Sequence, residues 1–222
     1  RYLSSAASDV YKRQIVNYGS GNLHSVHKAF EAVNNNLENP YEIIVTNTPS
    51  EILKADKIVL PGVGAFQDCK NAIHKIDGLF ESLEQVVIGE KKAFMGICVG
   101  MQLLAEKSLE FGECEGFGWI PGEVVKIEAP ADYKIPHMGW NEVTFRNHEL
   151  LNNISQNTDF YFVHSYYFRT QKNENCIATT KYPNPITAAV LKENIFGTQF
   201  HPEKSHNNGK QIITNFLEWE PS

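Results

Sequence analysis

A chain of 222 residues with 42% apolar and 21% charged side chains can form one substantial hydrophobic core, and no internal repeat divides it. A net charge of −6 and the lack of a basic stripe with interleaved aromatics argue against a nucleic-acid groove. Four widely spaced cysteines with no C-x-x-C pair exclude a zinc ribbon or a disulfide framework, and no apolar run reaches the ~20 residues of a membrane span. The expectation is a cytoplasmic protein with no membrane contact, nucleic-acid partner, metal or cofactor.

Residues 1–14, RYLSSAASDVYKRQ, are small, polar and basic without a clean period, so they read as a non-native or disordered tail, and 15–222 as a single domain. The first strand then begins at Ile15-Val16. Asn17-Tyr18-Gly19-Ser20-Gly21-Asn22 is a turn cluster, after which Leu23, Val26, Phe30 and Val33 recur at helical spacing. Two short strands, Ile43-Ile44-Val45 and Lys57-Ile58-Val59-Leu60, flank a helix that starts after Pro49-Ser50, with Ser50 as its N-cap. Pro61 to Phe66 is a loop at a strand's C-terminal end, and one or two helices follow as far as Ile88.

An apolar run from Ala93 to Ile97 then reads as a buried strand, with Met101, Leu103, Leu104 and Ala105 as the apolar positions of a helix that starts at once. Cys98 therefore sits at a strand-to-helix turn. Gly96 and Gly100 leave room for a sharp turn that lifts the thiol above the sheet, as in a nucleophile elbow with sulfur in place of oxygen. The helix start adds free N–H groups and a positive dipole end that favour a thiolate. Taken alone, the G-x-C-x-G pattern suits a small buried cysteine equally well.

Beyond Glu110 the chain changes to glycine-rich turns and short alternating strands at Val124–Ile127, Glu142–Phe145, Phe160–Val163 and Ala188–Leu191. Ile195–Phe200 is the last strand, and Ile212, Ile213, Phe216 and Leu217 mark a closing helix. The fold class is α/β: a mostly parallel central sheet covered by helices, with a smaller mixed or antiparallel section. Sites in such sheets lie at the strands' C-terminal ends.

The last strand ends in Phe200-His201-Pro202-Glu203. Residues two apart in an extended segment point the same way, so one strand end can present His201 and Glu203 together. A cysteine at one strand end, with a histidine and a carboxylate at another, supplies a nucleophile, a base and a group that orients the base.

Gly96-Ile-Cys98-Val-Gly100-Met-Gln102 with His201-Pro-Glu203 resembles the class I, triad-type glutamine amidotransferases, whose domain is flavodoxin-like. Asn17–Asn22, Pro61–Gly64, Pro136–Trp140, Phe162–Tyr166 and Gln199–Ser205 narrow the likeness to the glutaminase subunits of imidazole glycerol phosphate synthase, over Ile15 to Trp219. The resemblance implies that Cys98 attacks the side-chain amide of L-glutamine while His201, oriented by Glu203, moves protons. It implies oxyanion donors at Val99 and in Gly62-Val63-Gly64, and substrate contacts from Gln102, Glu110, His164, Ser165 and Tyr166. It also implies a heterodimer with a (β/α)8 barrel cyclase, docked through Pro136, His137, Met138, Gly139 and Trp140. Two alternatives stay open: a paralogous subunit that supplies ammonia to a sugar amidotransferase for surface polysaccharide, and a non-catalytic regulatory subunit on the same fold.

Overall fold

The computed structural model of the chain describes residues 11–19 and 21–221. Among the described residues thirteen strands run in chain order. The first four are β1 (Lys12–Val16), β2 (Glu42–Thr46), β3 (Lys57–Gly62) and β4 (Ala93–Cys98). The short strands β5 (Lys107–Ser108) and β6 (Cys114–Glu115) precede β7 (Gly122–Lys126), β8 (His137–Phe145), β9 (Thr158–His164) and β10 (Tyr166–Thr170). The last three are β11 (Cys176–Lys181), β12 (Pro185–Lys192) and β13 (Ile195–Thr198). The helices are α1 (Leu23–Asn34), α2 (Pro49–Ile52), α3 (Phe66–His74), α4 (Leu79–Glu84), α5 (Val99–Gln102) and α6 (His206–Glu218).

Nine strands form one sheet in the order β2-β1-β3-β4-β13-β12-β11-β8-β9. The first five are parallel and the rest antiparallel. The expected antiparallel section is therefore an extension of the main sheet, and a second sheet, β10-β7-β5-β6, packs beside it. β3 and β4 are buried at every position, as continuous apolar strands covered on both faces must be. Helices α1 and α6 turn apolar stripes inward, Val26, Phe30 and Val33 from one and Ile212, Ile213, Phe216 and Leu217 from the other.

Several boundaries depart from the sequence reading. β1 begins at Lys12, so residues 12–14, assigned to the tail, form sheet, with Arg13 and Gln14 buried and paired with β2 and β3. Tyr11, exposed, precedes the strand, and residues 1–10 of that tail lie outside the described residues. Thr48, in extended conformation, is the N-cap residue of α2, with Pro49 at the first helical position that its fixed φ suits; Ser50 lies inside the helix. β3 takes in Pro61 and Gly62, and β8 takes in His137–Trp140. The helix after Cys98 is one turn long, and Leu103 to Ala105 continue as tight turns. Four strands, β5, β6, β10 and β11, were not foreseen; the first two are two residues long, and YYFRT and CIATTK mix polar and apolar residues without a clear period.

Candidate active site

The site follows from strand order. β4 lies between β3 and β13, all three parallel, in a register that sets Gly62 opposite Cys98 and Thr198 opposite Ile97. The C-terminal ends of three adjacent strands thus deliver the Gly62–Gly64 segment, Cys98 and His201 to one edge. A cavity of about 280 Å³ opens there, lined by Val63, Gly64, Cys98, Val99, Gln102, Glu110, Pro136, Val163, His164, Ser165, Tyr166 and His201. That volume suits a small amino acid rather than a nucleotide.

Cys98 turns with φ +54° and ψ −111°, a strained conformation for a residue bearing a side chain. Neighbouring glycines make the turn possible: a Cβ on Gly100 would collide with Leu60 O, and one on Gly96 with Gly100 O. The backbone strain holds the thiol at the cavity wall, as at a nucleophile elbow. One helical turn adds little macrodipole, so the contribution expected from a longer helix reduces to unsatisfied N–H groups at the turn.

His201 Nδ1 lies 2.8 Å from Glu203 Oε1. The two residues meet through a 3-10 turn, Pro202–Lys204, and not through the alternation of an extended segment. Ring nitrogen Nε2 is buried without a fully formed hydrogen bond. Burial opposes the imidazolium, but the Cys98 sulfur and then Glu203 outweigh it and push His201 up to about 10. A cation so held keeps its proton through the neutral range.

Of the expected substrate residues, Glu110 accepts the Phe66 N–H through Oε2 at 2.7 Å, which fixes its carboxylate at the start of α3. Gln102 Nε2 donates to Tyr166 O and to Gln199 Oε1, both at 3.0 Å. His164 Nδ1 donates to Tyr166 O at 2.8 Å, and its Nε2 accepts from His137 Nδ1 at 2.9 Å. Burial lowers His164 to about 3 and His137 to about 4, so both rings are neutral at ordinary pH.

Pro136–Trp140 divides between two environments. Pro136 lines the cavity and His137 is buried, whereas Met138 and Trp140 are 61% and 46% exposed on the outer face of β8. Alternation along a strand explains the division, and Gly139 lies between them at φ +123°. His137 thus belongs to the interior, not to a docking surface.

Three residues with site contacts had no role in the sequence reading. Asn22 Nδ2 donates to Glu203 Oε1, the oxygen that also holds His201. Ser205 Oγ donates to His201 O at 2.7 Å and accepts from the Tyr161 N–H at 3.0 Å, tying the His201–Glu203 turn to edge strand β9. Gln199 Nε2 points to Cys98 Sγ at 3.7 Å. All three stand in stretches that the motif comparison had picked out, which was the one available signal. Among the described residues no cluster of His, Cys, Asp or Glu could hold a metal ion, and no helix is long and apolar enough to cross a membrane.

Residues 14–219 match the glutamine amidotransferase class-I family. The chain is 46% identical to the imidazole glycerol phosphate synthase subunit HisH of Rhodopseudomonas palustris, covering 93% of this chain and 98% of that protein. It is 47% identical to the subunit of the same name from Rhodospirillum rubrum, with the same coverage. Among solved structures, one described as a glutamine amidotransferase superposes with a TM-score of 0.70 at 15% identity, covering 92% of this chain and 97% of that one. Another glutamine amidotransferase, from Thermotoga maritima, gives 0.59 at 13% identity, covering 94% of this chain and 83% of that one. At those identities the superpositions carry the fold alone.

Proposed function

The chain belongs to the glutamine amidotransferase class-I family, and from that premise we propose how its residues perform the work of a glutaminase subunit of imidazole glycerol phosphate synthase. The observation that carries the reading is that Cys98 and the His201–Glu203 pair meet at one small cavity that Gln102, Glu110 and the His164–Tyr166 segment also line.

Glutamine enters with its α-ammonium toward Glu110 and its α-carboxylate toward the backbone at His164–Tyr166, Gln102 closing one side. The Cys98 thiolate attacks the side-chain amide carbon. The carbonyl oxygen takes up the negative charge and is met by N–H groups of Val99 and of the Gly62–Gly64 segment; one such donor is worth about 10²–10³ in rate. Collapse of the tetrahedral adduct breaks the C–N bond, and His201 Nε2 gives its proton to the departing amine, which leaves as ammonia. His201, now neutral, takes a proton from water as that water attacks the γ-glutamyl thioester. Glutamate leaves and the thiolate–imidazolium pair is restored.

Ammonia released into bulk water becomes ammonium and is lost as a nucleophile, so the glutaminase works with a synthase subunit. We assign that partner as a (β/α)8 barrel cyclase that docks on the outer face of β8, where Met138 and Trp140 stand exposed. Trp140, stacked on His206 at 5.0 Å, is a pre-ordered aromatic anchor. The test is glutamine hydrolysis by the purified chain alone and with the cyclase from the same genome, with and without its phosphoribulosyl ligand. Strong stimulation by the cyclase is the expected result; no stimulation, with activity appearing beside a sugar amidotransferase, would transfer the chain to the paralogous role.

A further inference from the structure

Gln199 stands where the chain leaves β13 for the catalytic turn, with its side chain fully buried. No part of the mechanism above uses it. A terminal amide can ordinarily be turned either way, but here its orientation is forced. Tyr166 O is a main-chain carbonyl and can do nothing but accept, so the Gln102 atom 3.0 Å from it is the nitrogen. That same nitrogen lies 3.0 Å from one end of the Gln199 amide, which must then be the oxygen. The end of Gln199 that remains, 3.7 Å from Cys98 Sγ, is the NH₂ group. The anchor is itself fixed: Tyr166 O also receives His164 Nδ1, His164 receives His137, and His137 Nε2 receives Asn141 Nδ2 at 3.1 Å. Every link has a donor facing an acceptor, from β8 to the sulfur.

We propose that Gln199 is a further catalytic residue of the glutaminase reaction, an N–H donor to the Cys98 sulfur that stabilises it as the thiolate. The inference rests on Cys98 being the nucleophile. An N–H donor aimed at sulfur discriminates between its states, since a thiolate accepts a charge-assisted hydrogen bond while a thiol or a thioester sulfur accepts weakly. The donor therefore acts twice, holding the anion before attack and receiving it again as the leaving group when water opens the thioester. Placed in the strand next to the nucleophile, it needs no movement to act. The titratable groups around the sulfur are His201 with Glu203 behind it, Glu110 and His164 across the cavity, and Cys69 of α3; Gln199 is uncharged and its contribution is superimposed on theirs.

The test is the rate of alkylation of Cys98 by iodoacetamide across pH, read by peptide mass mapping with Cys114 of the same molecule as reference, in the full chain and in Gln199→Met. Methionine keeps the volume and removes the donor. On the acid limb of the rate–pH profile the variant's Cys98 is expected to react about tenfold more slowly at the same pH, a lost charge-assisted hydrogen bond being worth at least that factor, with the difference closing on the high-pH plateau. A packing role alone would slow the reaction by the same factor at every pH; that result, or no slowing, overturns the proposal. Should Gln199→Met fail to fold, Gln102→Met keeps Gln199 and removes the donor that fixes its oxygen, and a smaller loss with the same pH dependence is expected. Failure of the wild-type chain to react at Cys98 or to hydrolyse glutamine would instead strike the nucleophile assignment beneath it.

Discussion

Glu203 and Ser205 each hold His201 by a different bond, and the two make separable predictions. Glu203 accepts from Nδ1 and its charge helps raise the imidazole to about 10, so His201 keeps its proton until pH rises through that value. Glu203→Gln removes the charge, and the alkaline limb of kcat/KM is expected to move to lower pH, with kcat reduced roughly 10²–10⁴-fold. Ser205 fixes the backbone around His201 and carries no charge to it. Ser205→Ala leaves the Tyr161 N–H without that partner while His201 O keeps the Lys204 N–H, a cost of about 1 kcal/mol in urea unfolding, without moving that limb. That Cys98, His201 and Glu203 converge was legible in the sequence because each stands in an unusual local setting, a thiol between glycines after an apolar run and a His-Pro-Glu strand end. Asn22, Ser205 and Gln199 were not, because each acquires its role from a residue that sheet order, not chain order, brings next to it.

At the level of the element, the elbow and the first strand show how much backbone geometry decides. The turn at Cys98 depends on Gly100 lying against Leu60 O, where no side chain fits. Gly100→Ala is expected to cost about 1–3 kcal/mol or more and to abolish hydrolysis, because β4, β3 and α5 cannot separate without moving the sulfur; thermal unfolding and glutamate release check both. β1 presents the opposite case, a strand built partly from residues that strand patterning disfavours. Its Arg13 is buried with Nε and Nη1 lacking hydrogen bonds, the guanidinium 3.9 Å from the Tyr41 ring centre and 3.9 Å from Asp56 Oδ2. Since Asp56 also accepts from the Lys12 N–H, it keeps a partner when Arg13 is removed. Arg13→Leu is expected to raise stability by about 1–2 kcal/mol, and a loss of stability on that substitution would contradict the view that this charge is poorly compensated. Periodicity misplaced the start of β1 for the same reason: pairing with β2 and β3 overrides the polarity of Lys12-Arg13-Gln14.

Over the whole molecule, the buried histidines set opposite slopes in stability against pH. His137 and His164 are held below the ordinary 6.5, so the unfolded chain takes up protons between about pH 6.5 and 4 that the folded chain refuses. Stability therefore falls as pH falls through that window, by about 1.4 kcal/mol per pH unit for each histidine. His201 is held above 6.5, and its contribution is complete below that value and lost as pH rises toward about 10. Urea unfolding at pH 5 and pH 7 should show the acid loss, and His137→Gln should reduce its slope by about one proton. The β–α alternation of the first half of the chain announced the parallel core. How the second half would join it was hidden, since β8, β9, β11 and β12 extend the same sheet in an order that crosses the chain.

The measurement that bears most directly on the central claim is peptide mass mapping of the chain quenched during turnover of glutamine with the partner subunit of its synthase. A γ-glutamyl adduct on Cys98, absent from Cys98→Ala, which also releases no glutamate, is the predicted result. Glutamate release by Cys98→Ala at the wild-type rate, with no adduct on Cys98 in the wild type, would contradict the account.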